Sequence, residues 1–205
     1  MYYNADANDH GLPHDPFKAL IAPRPIGWIS TRSRAGQSNL APYSYFNALC
    51  DSPKLLYFAS SGSAKDSATF AEESGEFVAN FVSAHVAEAM NHTSINAPRG
   101  HSEFGIAGLR EAPCQQVAAP RVAEAYAAIE CKVTQVLTPH TLDGSAANAV
   151  VVIGQVVGVY IDDAILTEGK VDIVKALPVS RLGYLDFAQT TETFSLSRPR
   201  WKPQE

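Results

Sequence analysis

The residues best equipped for chemistry lie in one run, Ser60-Ser61-Gly62-Ser63-Ala64-Lys65-Asp66-Ser67, where small hydroxyl residues follow an apolar stretch and lead into a helix pattern. Ser63, with Asp66 three positions later, fits a capping box and predicts a helix from Ala64 to Ser74 that Gly75 ends. A helix N-terminus offers unpaired backbone N–H groups and the positive end of its dipole to an anion. Lys65 adds a point charge, and Ser60, Ser61 and Ser67 add hydroxyl donors, so the run reads as a phosphate cradle. The plain alternative is a capped surface helix that holds nothing.

A second segment, Asn39 to Asn47, is rich in Pro, Tyr and Ser and reads as a long loop. It can present the backbone groups of Pro42, Tyr43 and Ser44, with the amide of Asn47, to a planar hydrogen-bonding ring. Its alternative is a connection whose Tyr43, Tyr45 and Phe46 fill core space. A phosphate cradle beside a polar slot suits a phosphorylated aromatic cofactor.

Other chemistries lack their marks. The chain has no G-x-G-x-x-G, P-loop, H-E-x-x-H or G-x-S-x-G pattern. His10 and His14 are four apart, but Gly11 and Pro13 between them oppose a helical metal pair, and no metal site is expected. The three cysteines, Cys50, Cys114 and Cys131, show no C-x-x-C spacing and read as reduced thiols. A net charge of −5 and the lack of any Lys/Arg cluster oppose nucleic-acid binding. The N-terminus has no secretory pattern, and no stretch approaches the ~18 apolar residues of a membrane span. A soluble, cytoplasmic protein is expected.

The elements that must position the two segments are mostly strands. Ile26 to Thr31, Leu55 to Ser60 and Glu76 to Ser83 read as strands. Ala128 to Leu137 and Ala149 to Ile161 read as a hairpin that turns near Asp143-Gly144. Leu182 to Phe187 and Thr193 to Ser197 would add short strands, while helix is confined to short pieces. With 205 residues, 46% hydrophobic and 18% charged, one domain over 1–205 is expected, with a loop-like N-terminal segment and a C-terminal tail. Many antiparallel strands with few helices favour a closed or partly closed β-barrel. Trp201 on the tail would be buried best against another subunit.

The stretches APRPIGWIST (22–31), NLAPYSYFN (39–47), KDS (65–67), EFVANFV (76–82), EFGIAGL (103–109), RLGYLDF (181–187) and FSLSRP (194–199) together resemble the flavin reductase-like, FMN-binding split-barrel family that includes flavoredoxin. The resemblance implies a mainly β fold, a split β-barrel with a few short helices, and a homodimer with FMN near the subunit interface. It places Ala41, Pro42, Tyr43, Ser44 and Asn47 at the flavin ring and ribityl chain, and Ser60, Ser61, Lys65 and Ser67 at its phosphate, with Asp66 also among the cofactor-binding residues. The family often has K-D-T where this chain has Ser67, which keeps the hydroxyl, and R-L-G-G where this chain has Tyr184. The implied activity is reduction of flavin by NADH or NADPH, with flavin N5 as the reactive centre and no side chain assigned as catalytic. Two rivals stand beside it: an electron-transfer flavoprotein reduced by a partner protein, and a flavin-binding module without catalysis.

Overall fold

Alternating apolar residues on both faces give the chain its strands, and seven of them form one antiparallel sheet in the computed structural model, which describes residues 1–62 and 65–201. The first half runs α1 (Phe17–Leu20), β1 (Arg24–Pro25), β2 (Gly27–Arg32), β3 (Ser38–Tyr43), β4 (Phe46–Asp51), β5 (Lys54–Ser61), α2 (Asp66–Ser74), β6 (Glu76–Asn80), α3 (Ala87–His92) and α4 (Glu103–Ile106). The second half runs β7 (Glu111–Ala112), β8 (Arg121–Val122), β9 (Ala127–Leu137), β10 (Ala149–Ile161), β11 (Leu166–Thr167), β12 (Lys170–Val171), α5 (Ile173–Ala176), β13 (Val179–Arg181) and β14 (Phe187–Gln189).

The main sheet has the order β3-β2-β6-β9-β10-β5-β4, so β3 and β4 are its two edges. Only Ser44 and Tyr45 separate those edges in sequence. Three virtual bonds reach at most about 11 Å, so the sheet must curl until its edges meet. The Ala59 N–H donates to the Tyr45 carbonyl (2.7 Å) at that seam. No ladder pairs β3 with β4, and the barrel is split there.

All seven strands contribute to the interior, through Ile29, Tyr43, Phe46, Leu56, Phe58, Phe77, Ile129, Cys131 and Val152, while Ala68 and Ala71 of α2 pack into the same cluster. Phe58 lies between Tyr43 (5.1 Å) and Phe77 (5.2 Å). Trp28 and Leu40 point the other way, into a second cluster with Met90 of α3 and Phe104 of α4. Buried on both faces, β2 therefore has apolar residues at consecutive positions. Two glycines permit close approach: a Cβ at Gly154 would sit 2.5 Å from the Phe77 ring, and one at Gly27 2.5 Å from the Phe46 ring across the seam.

The hairpin expected from Ala128 to Ile161 forms, with Ile161 opposite Ala127 and Val151 opposite Leu137, and Gly144 turns with φ +84°. Asn39 to Asn47, expected as a loop, instead supplies both edge strands. Its Pro42 cannot donate to a ladder, but β3 has a partner on one side only, where the sheet tolerates proline. The helix after the cradle starts at Asp66, two residues later than Ala64, with Lys65 as its N-cap; the expected cap Ser63 and Ala64 lie outside the described residues. Gly75 ends that helix as expected, at φ +76° with its N–H on the Ala71 carbonyl (2.9 Å).

Two other strand expectations are corrected. Leu182 to Phe187 is mostly the turn between β13 and β14, closed by the Leu182 N–H on the Asp186 carbonyl (3.0 Å). Tyr184 holds φ +56° there, which explains why a glycine suits this position in the resembling family. The close approach is at its neighbour Gly183, whose Cβ would meet Ala19 of α1 at 2.6 Å. Thr193 to Ser197 pairs with nothing among the described residues and is exposed.

Gly27→Ala is expected to lower stability by about 1–3 kcal/mol through overpacking against Phe46. Phe46→Ala in the same chain should recover part of that loss, which thermal denaturation of the two single variants and the double variant will measure. Additive losses would show that the seam contact is slack.

Candidate functional site

The strand-to-helix passage from β5 to α2 brings Lys65, Asp66 and Ser67 against β3, and a cleft of 440 Å³ opens between them. Asn39, Ala41, Pro42 and Tyr43 of β3 form one wall, while the loop carrying Ser94 and Arg99, with Glu103 of α4, forms the other. The start of α2 lines this cleft through Lys65, Asp66 and Ser67, and a helix N-terminus is a common setting for an anion. The Asn39 amide donates to Ser67 Oγ (2.7 Å), and Ser67 is buried.

Charge is partitioned along this cleft. Arg99 donates through Nε (3.1 Å) and Nη2 (2.6 Å) to the same Asp66 oxygen, Oδ1. Glu103, buried, accepts the Leu40 N–H (3.0 Å). Both acids are thus engaged, whereas Lys65 is exposed and makes no ion pair among the described residues. Burial pushes the Tyr43 phenol up to about 12; a hydrogen bond with Ser67 opposes that rise, and Glu103 and Asp66 reinforce it. Tyr43 is therefore a neutral hydroxyl in all but strongly alkaline solution. Ser60 is buried on β5 and its Oγ has no hydrogen-bond partner among the described residues.

The structure divides the residues singled out from sequence. Ala41, Pro42, Tyr43, Lys65, Asp66 and Ser67 line the cleft together. Ser44 lines the next hollow, of 510 Å³, which shares Pro42 and Ser94 with the first. Asn47 lines a third, of 450 Å³, which shares Ser44 with the second. Asn47 is exposed, and its Oδ1 accepts the neighbouring Ala48 N–H (2.8 Å). Ser61 is exposed at the end of β5, opposite Ala149. The hollows form a path from Lys65 along the seam to Asn47.

Arg99, Asn39 and Glu103 were not singled out. Asn39 and Glu103 lie in quoted stretches yet carry no local signal of a site, and only the fold brings Arg99 to Asp66. Among the described residues, no three of His, Cys, Asp or Glu gather as metal ligands, and no helix is long and apolar enough to cross a membrane.

A split barrel whose seam opens onto an anion-binding helix start defines a class of flavoproteins, and comparison with known proteins agrees. Residues 20–179 match the family model described as a flavin reductase like domain. An uncharacterized protein of Halalkalibacterium halodurans is 38% identical over 183 residues, which cover 87% of each chain. Nitrilotriacetate monooxygenase component B from Bacillus cereus superposes with a TM-score of 0.84 at 29% identity, over 96% of this chain and 98% of that one. The 2-nitrobenzoate 2-nitroreductase of Pseudomonas fluorescens gives a TM-score of 0.84 at 26% identity, over 100% and 99%. The chain belongs to the flavin reductase like family, and so to the flavin-binding oxidoreductases.

Because its proton is held more tightly in the folded state than the usual value near 10, Tyr43 contributes stability that is complete below pH 10 and lost as pH rises through about 12. The stability difference between wild type and Tyr43→Phe should shrink by on the order of 2–3 kcal/mol across that window. Denaturant titrations of both proteins at pH 8, 10 and 12 will measure it. A constant difference would place the phenol in water.

Proposed function

We propose that the chain binds FMN with its phosphate at Lys65 and the start of α2 and its ring along the β3–β4 seam, and that it reduces this flavin with NADH or NADPH. The observation that carries the reading is the cleft itself: Lys65, which makes no ion pair among the described residues, the start of α2 and the Ser67 hydroxyl stand at one end of a path that follows the seam. The donor set fits a phosphate. The unpartnered Ser60 Oγ adds a buried polar atom one strand end away.

When bound, the flavin supplies hydride chemistry at N5, and the protein supplies position, hydrogen bonds and charge. Lys65 and the helix start hold the phosphate. Pro42 and Ser44 orient the ring through backbone groups, since Pro42 offers only its carbonyl and leaves a flat, donor-free surface. Asp66 keeps Arg99 at the cleft wall, and Tyr43 remains a neutral donor. Rate enhancement then comes from holding two rings in near-attack geometry. The names of the similar structures, a monooxygenase component and a nitroreductase, support the oxidoreductase class.

Anaerobic mixing of the FMN-loaded protein with each reduced nucleotide tests the activity: rapid bleaching by either supports the reductase, and bleaching by neither points to a protein donor, as in an electron-transfer flavoprotein. Reduced cysteines agree with a cytoplasmic setting, the three thiols being free. FMN should bind at least about tenfold tighter than riboflavin, because charge-assisted hydrogen bonds contribute roughly 1.5–3 kcal/mol each. Lys65→Met should remove most of that preference in a fluorescence titration and leave riboflavin affinity unchanged. Equal losses for both ligands would mean that Lys65 acts through folding.

The reading includes a homodimer. Phe194, Leu196 and Trp201 on the tail are 87%, 85% and 85% exposed, an apolar strip that a second copy can cover. Light scattering of the full chain is expected to report a dimer, and a chain ending at Thr193 a weaker one. A monomer across micromolar concentrations would reject the assembly.

A further inference from the structure

Among the described residues Arg24 is the only buried Lys or Arg, at 7% exposure. It donates through Nη1 to the carbonyls of Lys18 (2.5 Å) and Ile21 (2.8 Å), and through Nη2 to that of Leu182 (2.9 Å). Its Nε reaches Ser44 Oγ at 3.4 Å. It makes no salt bridge among the described residues. Four neutral oxygens thus solvate the charge without cancelling it, and burial keeps water and salt from screening it. Arg24 also lines the hollow that holds Ser44 and Asn47. A buried cation without a counterion is a poor device for stability alone, since desolvating it is costly. The charge faces a place where negative charge is expected.

We propose that Arg24 is an electrostatic positioning residue that makes the site favour reduced over oxidised flavin. This rests on the reading that FMN lies along the seam. Hydride transfer breaks a C–H bond of the nicotinamide and forms a bond to flavin N5; two electrons and one proton move. The donor gains one positive charge and the flavin one negative charge. A fixed cation in a low-dielectric wall stabilises that added charge and does little for the neutral oxidised ring. Ser44 extends the effect, because its Oγ accepts from Arg24 and its own O–H is left to donate to a ring acceptor.

The test compares dissociation constants of the full chain for oxidised FMN and, anaerobically, for dithionite-reduced FMN. A site that favours the reduced form binds it more tightly by the factor that shifts the redox equilibrium. Wild type is expected to prefer reduced FMN by about tenfold or more. Arg24→Gln, which keeps donors but no charge, should lose that preference, and Arg24→Lys should keep most of it. Both variants lose the four-oxygen clamp, so a merely structural role lowers thermal stability and flavin affinity alike in the two. Equal affinity of wild type for both redox forms, or a preference that Arg24→Gln retains, overturns this inference alone. Wild type that binds neither form overturns the FMN reading with it.

Discussion

The two residues between β3 and β4 dictate the architecture. An antiparallel sheet of seven strands normally ends in two distant edges, but Ser44 and Tyr45 tie those edges together, and the sheet has no choice but to close. Closure gathers side chains from all seven strands into one interior cluster, with Phe58 between Tyr43 and Phe77 and α2 packed into the same cluster through Ala68 and Ala71. The link is also too short and too irregular to continue the ladder. The barrel is complete in packing and open in hydrogen bonding along one line.

That line is where the proposed site lies, and the position of α2 follows from the same geometry. The helix begins as β5 leaves the sheet, and packs its Ala68 and Ala71 into the interior, which fixes its N-terminus beside β3. The buried faces therefore set the N-terminal end of α2 at the cleft beside β3. Charge balance supports the arrangement: Asp66 is matched by Arg99, Glu103 by a backbone N–H, and Lys65 by no acid among the described residues. On the other side of the seam, Arg24 joins α1, β1 and the β13–β14 turn through three carbonyls, with Ser44 Oγ as its fourth acceptor. The two cations sit at opposite ends of the same path.

Much of this was legible in the sequence wherever the signal is local. β-Branched alternation and Asp143-Gly144 were enough for the long hairpin and Gly75 for the end of α2, while the serine-rich approach to Lys65 supplied the site that is proposed. The ordered series of motifs added the split barrel and the family. The segment from Asn39 to Asn47 was misread because Pro, Asn and Ser favour turns locally, while strand pairing there is supplied by β2 and β5, distant partners that override propensity. Arg99 and Glu103 escaped notice for the same reason. Their roles exist only once α4 and the preceding loop fold against β3, which no spacing in the chain records.

Pro42 has one further effect. Edge strands with free amides recruit other strands, which is how sheets aggregate and how extended peptides are captured. At the split both edges come together, and one of them, β3, carries a residue with no N–H to offer. A peptide backbone laid along β3 finds its ladder interrupted, whereas a flat heterocycle needs no ladder at all. At Pro42 an added strand therefore loses one ladder bond that a planar small molecule would never have used.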